Sequence, residues 1–118
     1  RVICQTCREV GPAPAALREQ LGVEELPKQL AHGRGCAVCK GTGFRGRTAI
    51  YEFLMVEEAV QQLILRRASA GDIRRMAQQA GPPAPDGSRR AGMRTLRQDG
   101  WLKIVAGLTT PEEVLRVT

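Results

Sequence analysis

The chain has 118 residues, of which 42% are hydrophobic and 25% are charged, which is the composition of a single globular domain. No apolar run approaches the roughly 18 residues that a membrane-spanning helix needs, and this excludes a transmembrane segment from the prediction. The net charge of +6 is compatible with a nucleic acid, an acidic membrane surface or a phosphate-bearing ligand. Because the basic residues are scattered along the chain, we favour an arginine-rich solvated surface instead.

The first residue is Arg1 rather than a methionine, and no signal-peptide pattern is present. We therefore expect the chain to be one part of a longer, cytosolic protein. Cysteines in the cytosol bind metal ions more often than they form disulfides.

Two Cys-x-x-Cys motifs, which we call the first hook (residues 4–7) and the second hook (residues 36–39), are the strongest chemical signal in the chain. Each hook lets two sulfurs reach one ion from a tight turn, and the two hooks together complete a tetrahedral thiolate shell. A closed shell has no open position for a substrate, so the expected role of the ion is structural. His32 is a rival ligand, but four cysteines already satisfy such an ion. An iron site of the rubredoxin type uses the same ligands.

The residues between the hooks predict a small insert that the metal holds at its base. We expect a strand over residues 2–10 that leads into the first hook. Pro14 can begin a short helix that Gly22 ends, and a further helical turn is expected over residues 24–30. Together, residues 8–35 are therefore predicted to form a small helical insert.

Residues 48–56 are the best strand candidate, because they are rich in β-branched and aromatic residues with apolar alternation. A lone strand is not stable, so we expect it to pair with residues 2–3 or with a sheet outside the chain. Gly41, Gly43 and Gly46 are typical of tight turns with positive φ. No Walker-type phosphate loop occurs in the 118 residues, so this chain alone is not expected to hydrolyse a nucleotide.

Helices are expected to fill the second half of the chain. Ser69 and Asp72 resemble a capping box, while Thr110 and Pro111 are a typical N-cap and first helical residue. The proline and glycine content of residues 81–88 predicts a loop. The predicted helices cover residues 57–67, 69–80, 93–106 and 110–117.

These elements predict a mostly helical α+β fold. Residues 1–44 are expected to form a tetracysteine zinc subdomain with a short insert and one or two strands. Residues 45–118 are expected to form a strand and a C-terminal helical bundle. Replacement of one cysteine by serine is expected to unfold the insert and to leave the helices after Glu57 largely formed.

Three separated motifs follow one another in a specific order. They are the two hooks, the run KGTGFRGRTAIYE at residues 40–52, and the pair MRTLRQDG at 93–100 and TTPEEVLRVT at 109–118. In this order they resemble the C-terminal region of the type II secretion and type IV pilus assembly ATPases, and the resemblance covers essentially the whole chain. Residues 82–90 depart from it as an apparent insertion.

The resemblance implies a hexameric cytoplasmic motor at the bacterial inner membrane, whose ATP- and Mg²⁺-binding core lies upstream of Arg1. The implied partners are the neighbouring subunits of a homo-hexamer and the inner-membrane platform protein. The implied zinc ligands are Cys4, Cys7, Cys36 and Cys39.

The resemblance also implies that an arginine of the Arg-Gly-Arg stretch approaches the nucleotide phosphates in the complete motor. Arg47 is the better match, and Arg45 is the second candidate. An ion pair of Arg47 with Glu52 or with the motor core is an equal alternative, since a guanidinium fits a carboxylate as well as a phosphate.

Three other readings compete with this one. A zinc ribbon that binds nucleic acid would interleave exposed aromatic and basic residues, whereas we expect Tyr51 and Phe53 to lie on a buried strand, so no nucleic acid is expected. The second hook and Gly41-Thr42-Gly43 fit one repeat of a J-protein cysteine-rich domain, but the first hook does not. Thiol-redox catalysis lacks the strand–helix pattern that usually surrounds a reactive Cys-x-x-Cys.

Overall fold

The computed structural model describes residues 1–79 and 92–118 and confirms a mostly helical α+β fold. Three sequence predictions fall outside the described residues: the loop at 81–88, the apparent insertion at 82–90, and the last residue of the helix predicted over 69–80. Two short 3₁₀ turns, Gln5–Cys7 and Ala37–Cys39, form the hooks. The remaining described elements are β1 (Arg8–Pro12), α1 (Leu17–Leu21), β2 (Gln29–Gly33), α2 (Glu58–Leu65), α3 (Ala70–Gln79), α4 (Leu96–Val105) and α5 (Pro111–Val117).

The chain divides into two compact units. Unit 1 consists of Arg1–Ile50 and Leu96–Thr118, and unit 2 consists of Tyr51–Thr95. The domain boundary expected between residues 44 and 45 stays a prediction. None of the helices described has both the length and the apolar character that crossing a membrane requires.

Unit 1 has one apolar core, to which the insert and the last two helices both contribute. β1 and β2 pair antiparallel, with Arg8 opposite Gly33 at one end and Pro12 opposite Gln29 at the other. Gly22 ends α1 in the left-handed conformation, as its sequence position predicts. The buried core residues are Leu17 and Leu21 of α1, Leu30 of β2, Ile104 of α4 and Val114 of α5.

The helical turn predicted over residues 24–30 is wrong, because Gln29–Gly33 is a strand and residues 24–28 form no helix. Pro27 provides no amide donor and disfavours a helical conformation in the residue before it. The strand predicted over 2–10 is correct only in part, since it begins at Arg8 after the 3₁₀ turn. Ile3 makes an isolated antiparallel bridge to Phe44.

The strand predicted over residues 48–56 is also wrong: these residues are all described, and none of them belongs to a strand. Tyr51 and Phe53, which we expected to be buried, are 66% and 72% exposed. Strand-forming residue types favour an extended chain, but a strand also needs a neighbour with free backbone groups. Within the described residues, β1 and β2 pair only with each other.

The helices of the second half confirm most of the predicted start signals. Asp72 donates its backbone N–H to Ser69 Oγ over 3.2 Å, which is the N-cap half of the predicted capping box, and the Asp72 carboxylate accepts from the Ser69 hydroxyl over 2.6 Å. Thr110 occupies the N-cap position of α5 and Pro111 begins the helix, although the Thr110 side chain makes no capping hydrogen bond. α2 and α3 pack together within unit 2.

α4 and α5 pack directly against each other, and Gly100 lies at their contact. In the structure it is buried, and a Cβ atom at this position would lie 2.5 Å from Val114 Cγ1. Gly100 therefore lets the two helices meet without a side chain between them.

Candidate metal centre

The two hooks bring their four cysteines together at one point of unit 1. Their Sγ atoms all lie within 4.8 Å of one another. Three of the six separations are 3.9 Å for Cys4 and Cys36, 3.8 Å for Cys7 and Cys39, and 3.7 Å for Cys36 and Cys39. A tetrahedral zinc ion with bonds of about 2.3 Å requires sulfurs about 3.8 Å apart. The cluster can therefore hold such an ion with little rearrangement.

Local backbone geometry aims both sulfurs of each hook at the same point. In the second hook, the Cys36 backbone N–H donates to Cys39 Sγ over 3.2 Å, across one 3₁₀ turn. Lys40 then adopts a left-handed conformation with φ of 56°, and the Gly41 N–H donates to the Cys36 carbonyl over 2.9 Å. This tight turn at Lys40 and Gly41 keeps the chain close to the sulfurs after the second hook.

Backbone amides surround the thiolates with hydrogen-bond donors. Gly35 donates its N–H to Cys7 Sγ over 3.3 Å, and Gly43 donates to Cys39 Sγ over 3.2 Å. Such bonds stabilise the negative charge that a metal-binding thiolate carries. These donors were missed at the sequence level, where Gly43 was interpreted only as a turn residue. The available signal was the glycine placed directly before one hook and the glycine shortly after it.

Burial and these hydrogen-bond donors shift the pKa values of the cysteines in opposite directions. Burial raises the pKa of the Cys7 thiol to about 12. Burial also acts to raise the pKa of Cys39, but the N–H groups of Cys36 and Gly43 outweigh it and lower that pKa to about 6. Metal ions bind the thiolate form, so an ion that enters the cluster displaces the thiol protons that remain.

The cluster is closed and contains cysteines alone among the described residues. Cys4, Cys7 and Cys39 are buried and Cys36 is partly buried. His32, weighed above as a rival ligand, lies outside the cluster with its side chain half exposed and Nε2 4.0 Å from Glu9 Oε2. A site of this kind suits a structural ion, because no open position faces solvent.

Arg45 and Arg47 both lie exposed in unit 1, in the stretch that follows the second hook. The alternative ion pair of Arg47, with Glu52 or with the motor core, stays a prediction. The predicted approach of Arg47 or Arg45 to nucleotide phosphates stays a prediction.

Comparison with known proteins decides the family. The sequence model of a family described as type II/IV secretion system protein matches residues 1–116. The chain belongs to this family. It therefore shares its ancestry with the ATPases that the motif order resembles.

Individual relatives in this secretion family match the chain over its full length. The type IV pilus assembly ATPase PilB of Thermus thermophilus is 42% identical over 122 residues, which is 100% of this chain and 12% of that protein. The type II secretion system protein E of Pseudomonas aeruginosa is 38% identical over 119 residues, covering 100% of this chain and 21% of the relative. The protein of the same name from Pectobacterium carotovorum is 40% identical, with the same coverage. The chain thus spans about a fifth or less of the relatives it matches.

Proposed function

We propose that this chain is the zinc-binding C-terminal module of a motor ATPase that powers type II protein secretion or type IV pilus assembly. The observation that carries the proposal is the four-cysteine cluster, whose sulfurs all lie within 4.8 Å of one another, in a chain that aligns along its whole length with secretion and pilus ATPases. The ion holds the hooks together. Its role is structural and not catalytic.

The donor set favours zinc in a structural role. Four thiolates in a tetrahedral, buried arrangement are typical of zinc, although iron accepts the same ligands. Binding of structural zinc by a small metal-dependent fold contributes about 10–16 kcal/mol at neutral pH. The ligands we assign are Cys4, Cys7, Cys36 and Cys39.

In the complete motor, ATP and Mg²⁺ bind to parts of the protein outside this chain. We place the motor in the cytoplasm as a homo-hexamer at the inner membrane, with the neighbouring subunits and the membrane platform protein as partners. Arg47, with Arg45 as second candidate, is assigned to the nucleotide phosphates, a role that its exposed guanidinium permits. In the complete ATPase, Arg47→Ala should lower kcat about tenfold or more, whereas the exposed Arg18→Ala should not; equal rates would remove the assignment.

Metal content is the direct test of the module's identity. Elemental mass spectrometry of the purified chain should give one zinc per chain, with the thiols reactive only after chelation. Cys36→Ser should lose the metal, while Val38→Ser, an exposed non-ligand in the same hook, should retain it. A metal-free chain with all thiols reactive from the start would overturn the proposal, and iron in place of zinc would correct the cofactor.

A nucleic-acid-binding zinc ribbon is the second candidate. The exposure of Tyr51 and Phe53 favours it, because the sequence argument against it assumed that both rings were buried. Retention on single-stranded DNA that weakens steeply with salt would support this candidate. Absence of retention at low salt would exclude it.

A further inference from the structure

Two glycines outside the cysteine positions touch each other beside the cluster. A Cβ atom on Gly33, at the end of β2, would overlap the carbonyl oxygen of Gly43. A Cβ atom on Gly43 would overlap the carbonyl oxygen of Gly33, and Gly43 also has a φ of +75°. No side chain fits at either position without moving the backbone of the other.

Gly43 contacts one cysteine of each hook. Its N–H donates to Cys39 Sγ over 3.2 Å, and its carbonyl accepts the N–H of Cys4 over 2.9 Å. Cys4 begins the first hook and Cys39 ends the second. A single residue therefore sets how far apart the two hooks lie.

The segment that begins with Gly33 serves the first hook as well. Arg34 donates its N–H to the Cys7 carbonyl over 3.0 Å, and Gly35 donates to Cys7 Sγ over 3.3 Å. Gly33 itself pairs with Arg8, the residue after Cys7. The end of β2 is thereby fixed to the first hook. The contact of Gly33 with Gly43 in turn fixes the second hook relative to the first.

We propose that the Gly33–Gly43 contact positions the metal centre. It holds the Gly43 N–H on the Cys39 sulfur and keeps the two hooks at the separation that one ion needs. The proposal rests on the proposed function, since the ion is the ligand that the cluster binds. Gly33 and Gly43 are positioning residues and do not themselves touch the metal.

The test substitutes Gly33 with alanine in the full chain and measures zinc affinity by competition with a chromophoric chelator. Partners that orient metal ligands are typically worth about 10- to 100-fold in affinity, so Gly33→Ala should weaken zinc binding by that factor. The matched control is Gly22→Ala, which has a φ of +65° in the same unit but no atom within 4 Å of the added Cβ. This control strains the backbone of unit 1 without disturbing the hooks and should leave the affinity unchanged.

Cobalt substitution gives a second readout that general destabilisation would not move. The sulfur-to-cobalt charge-transfer bands report the charge and geometry of the thiolates, so they should shift in Gly33→Ala and stay in place in Gly22→Ala. If Gly33→Ala fails to fold, a semisynthetic chain with glycolic acid in place of Gly43 removes the N–H donor without adding an atom. That chain should show the same band shift and weaker zinc binding.

The outcomes separate this proposal from the proposed function. An unsubstituted chain that binds no metal overturns both. An unsubstituted chain that binds zinc, together with Gly33→Ala or glycolate chains that match it within about twofold in affinity and in cobalt spectrum, overturns only the positioning role.

Discussion

Glu113 lies in the first turn of α5 with its carboxylate between two arginines. The side chain is 5% exposed, and it accepts hydrogen bonds from Arg1 over 2.6 Å and from Arg116 over 3.1 Å. Arg1 stacks over the Phe44 ring at 4.5 Å, and its carbonyl accepts the Thr109 hydroxyl. The first residues of unit 1 are thereby fixed to α5.

The hydrogen bonds from Arg1, and then from Arg116, hold the pKa of Glu113 well below its usual range. A carboxylate with a depressed folded pKa stabilises the fold fully above the pKa of an unfolded glutamate, about 4.3, and this contribution is lost as the pH falls through the folded value. Between pH 6 and pH 8 the contribution is therefore constant.

The first prediction concerns Glu113→Gln, which keeps the side-chain volume but removes the charge. We expect the free energy of unfolding to fall by about 1–2 kcal/mol, a modest value because both arginines are half exposed. Urea unfolding at pH 6 and pH 8 should give the same deficit. The exposed neighbour Glu112→Gln is the control and should lose little; a deficit that changes between the two pH values would contradict the assignment.

At the scale of elements, the contact between α4 and α5 makes a prediction opposite to helix propensity. Alanine is a better helix former than glycine by about 1 kcal/mol, so propensity alone predicts that Gly100→Ala is stabilising. The added Cβ would meet Val114 Cγ1 at 2.5 Å, and overpacking of a buried contact typically costs about 1–3 kcal/mol. We expect a net loss of stability.

Thermal and urea unfolding of Gly100→Ala measure this loss directly. Gly71→Ala in α3 is the matched control, since its added Cβ would be 3.7 Å from the nearest side-chain atom, Ser69 Oγ. The control should be neutral or slightly stabilising. A Gly100→Ala chain at least as stable as the parent would show that the two helices separate without cost.

Elements with a local signal were predictable from the sequence, and elements that depend on distant partners were not. The capping box of Ser69 and Asp72 and the proline at the start of α5 act within a few residues of where they stand. β2 exists because β1 lies beside it, whereas residues 48–56 form no strand because the one sheet among the described residues consists of β1 and β2 alone. The cysteine cluster was predictable because hook spacing is itself the signal. The amide donors of Gly35 and Gly43 had only an indirect signal, the glycines themselves, since every residue type except proline provides a backbone N–H.

At the scale of the whole molecule, the insert and the last two helices depend on one core. The sequence led us to expect that the helices after Glu57 survive loss of the metal. The core of unit 1 joins Leu17 and Leu30 of the insert with Ile104 and Val114 of α4 and α5, so that expectation is now limited to α2 and α3. Metal removal should loosen α4 and α5 along with the hooks.

Hydrogen exchange on Cys36→Ser tests this coupling. Amide protection in α4 and α5 should fall by about two orders of magnitude or more, because the metal contributes much of the stability of unit 1. Val38→Ser should leave protection intact. Protection of α4 and α5 that persists in Cys36→Ser, after confirmed loss of metal, would show that the last helices hold the core without the hooks.

The shared core also affects how the chain folds while the ribosome synthesises it from the N-terminal end. Both hooks are complete before residues 44–103 are made, whereas the leucines of the insert need Ile104 and Val114 as their cover. At a synthesis rate of about 5–20 residues per second, several seconds pass between synthesis of the insert and synthesis of the helices that bury its leucines. The nascent chain is thus able to capture an ion before its core closes. A chain made without metal exposes reactive thiols and uncovered leucines during the same interval, when it is most open to oxidation and aggregation.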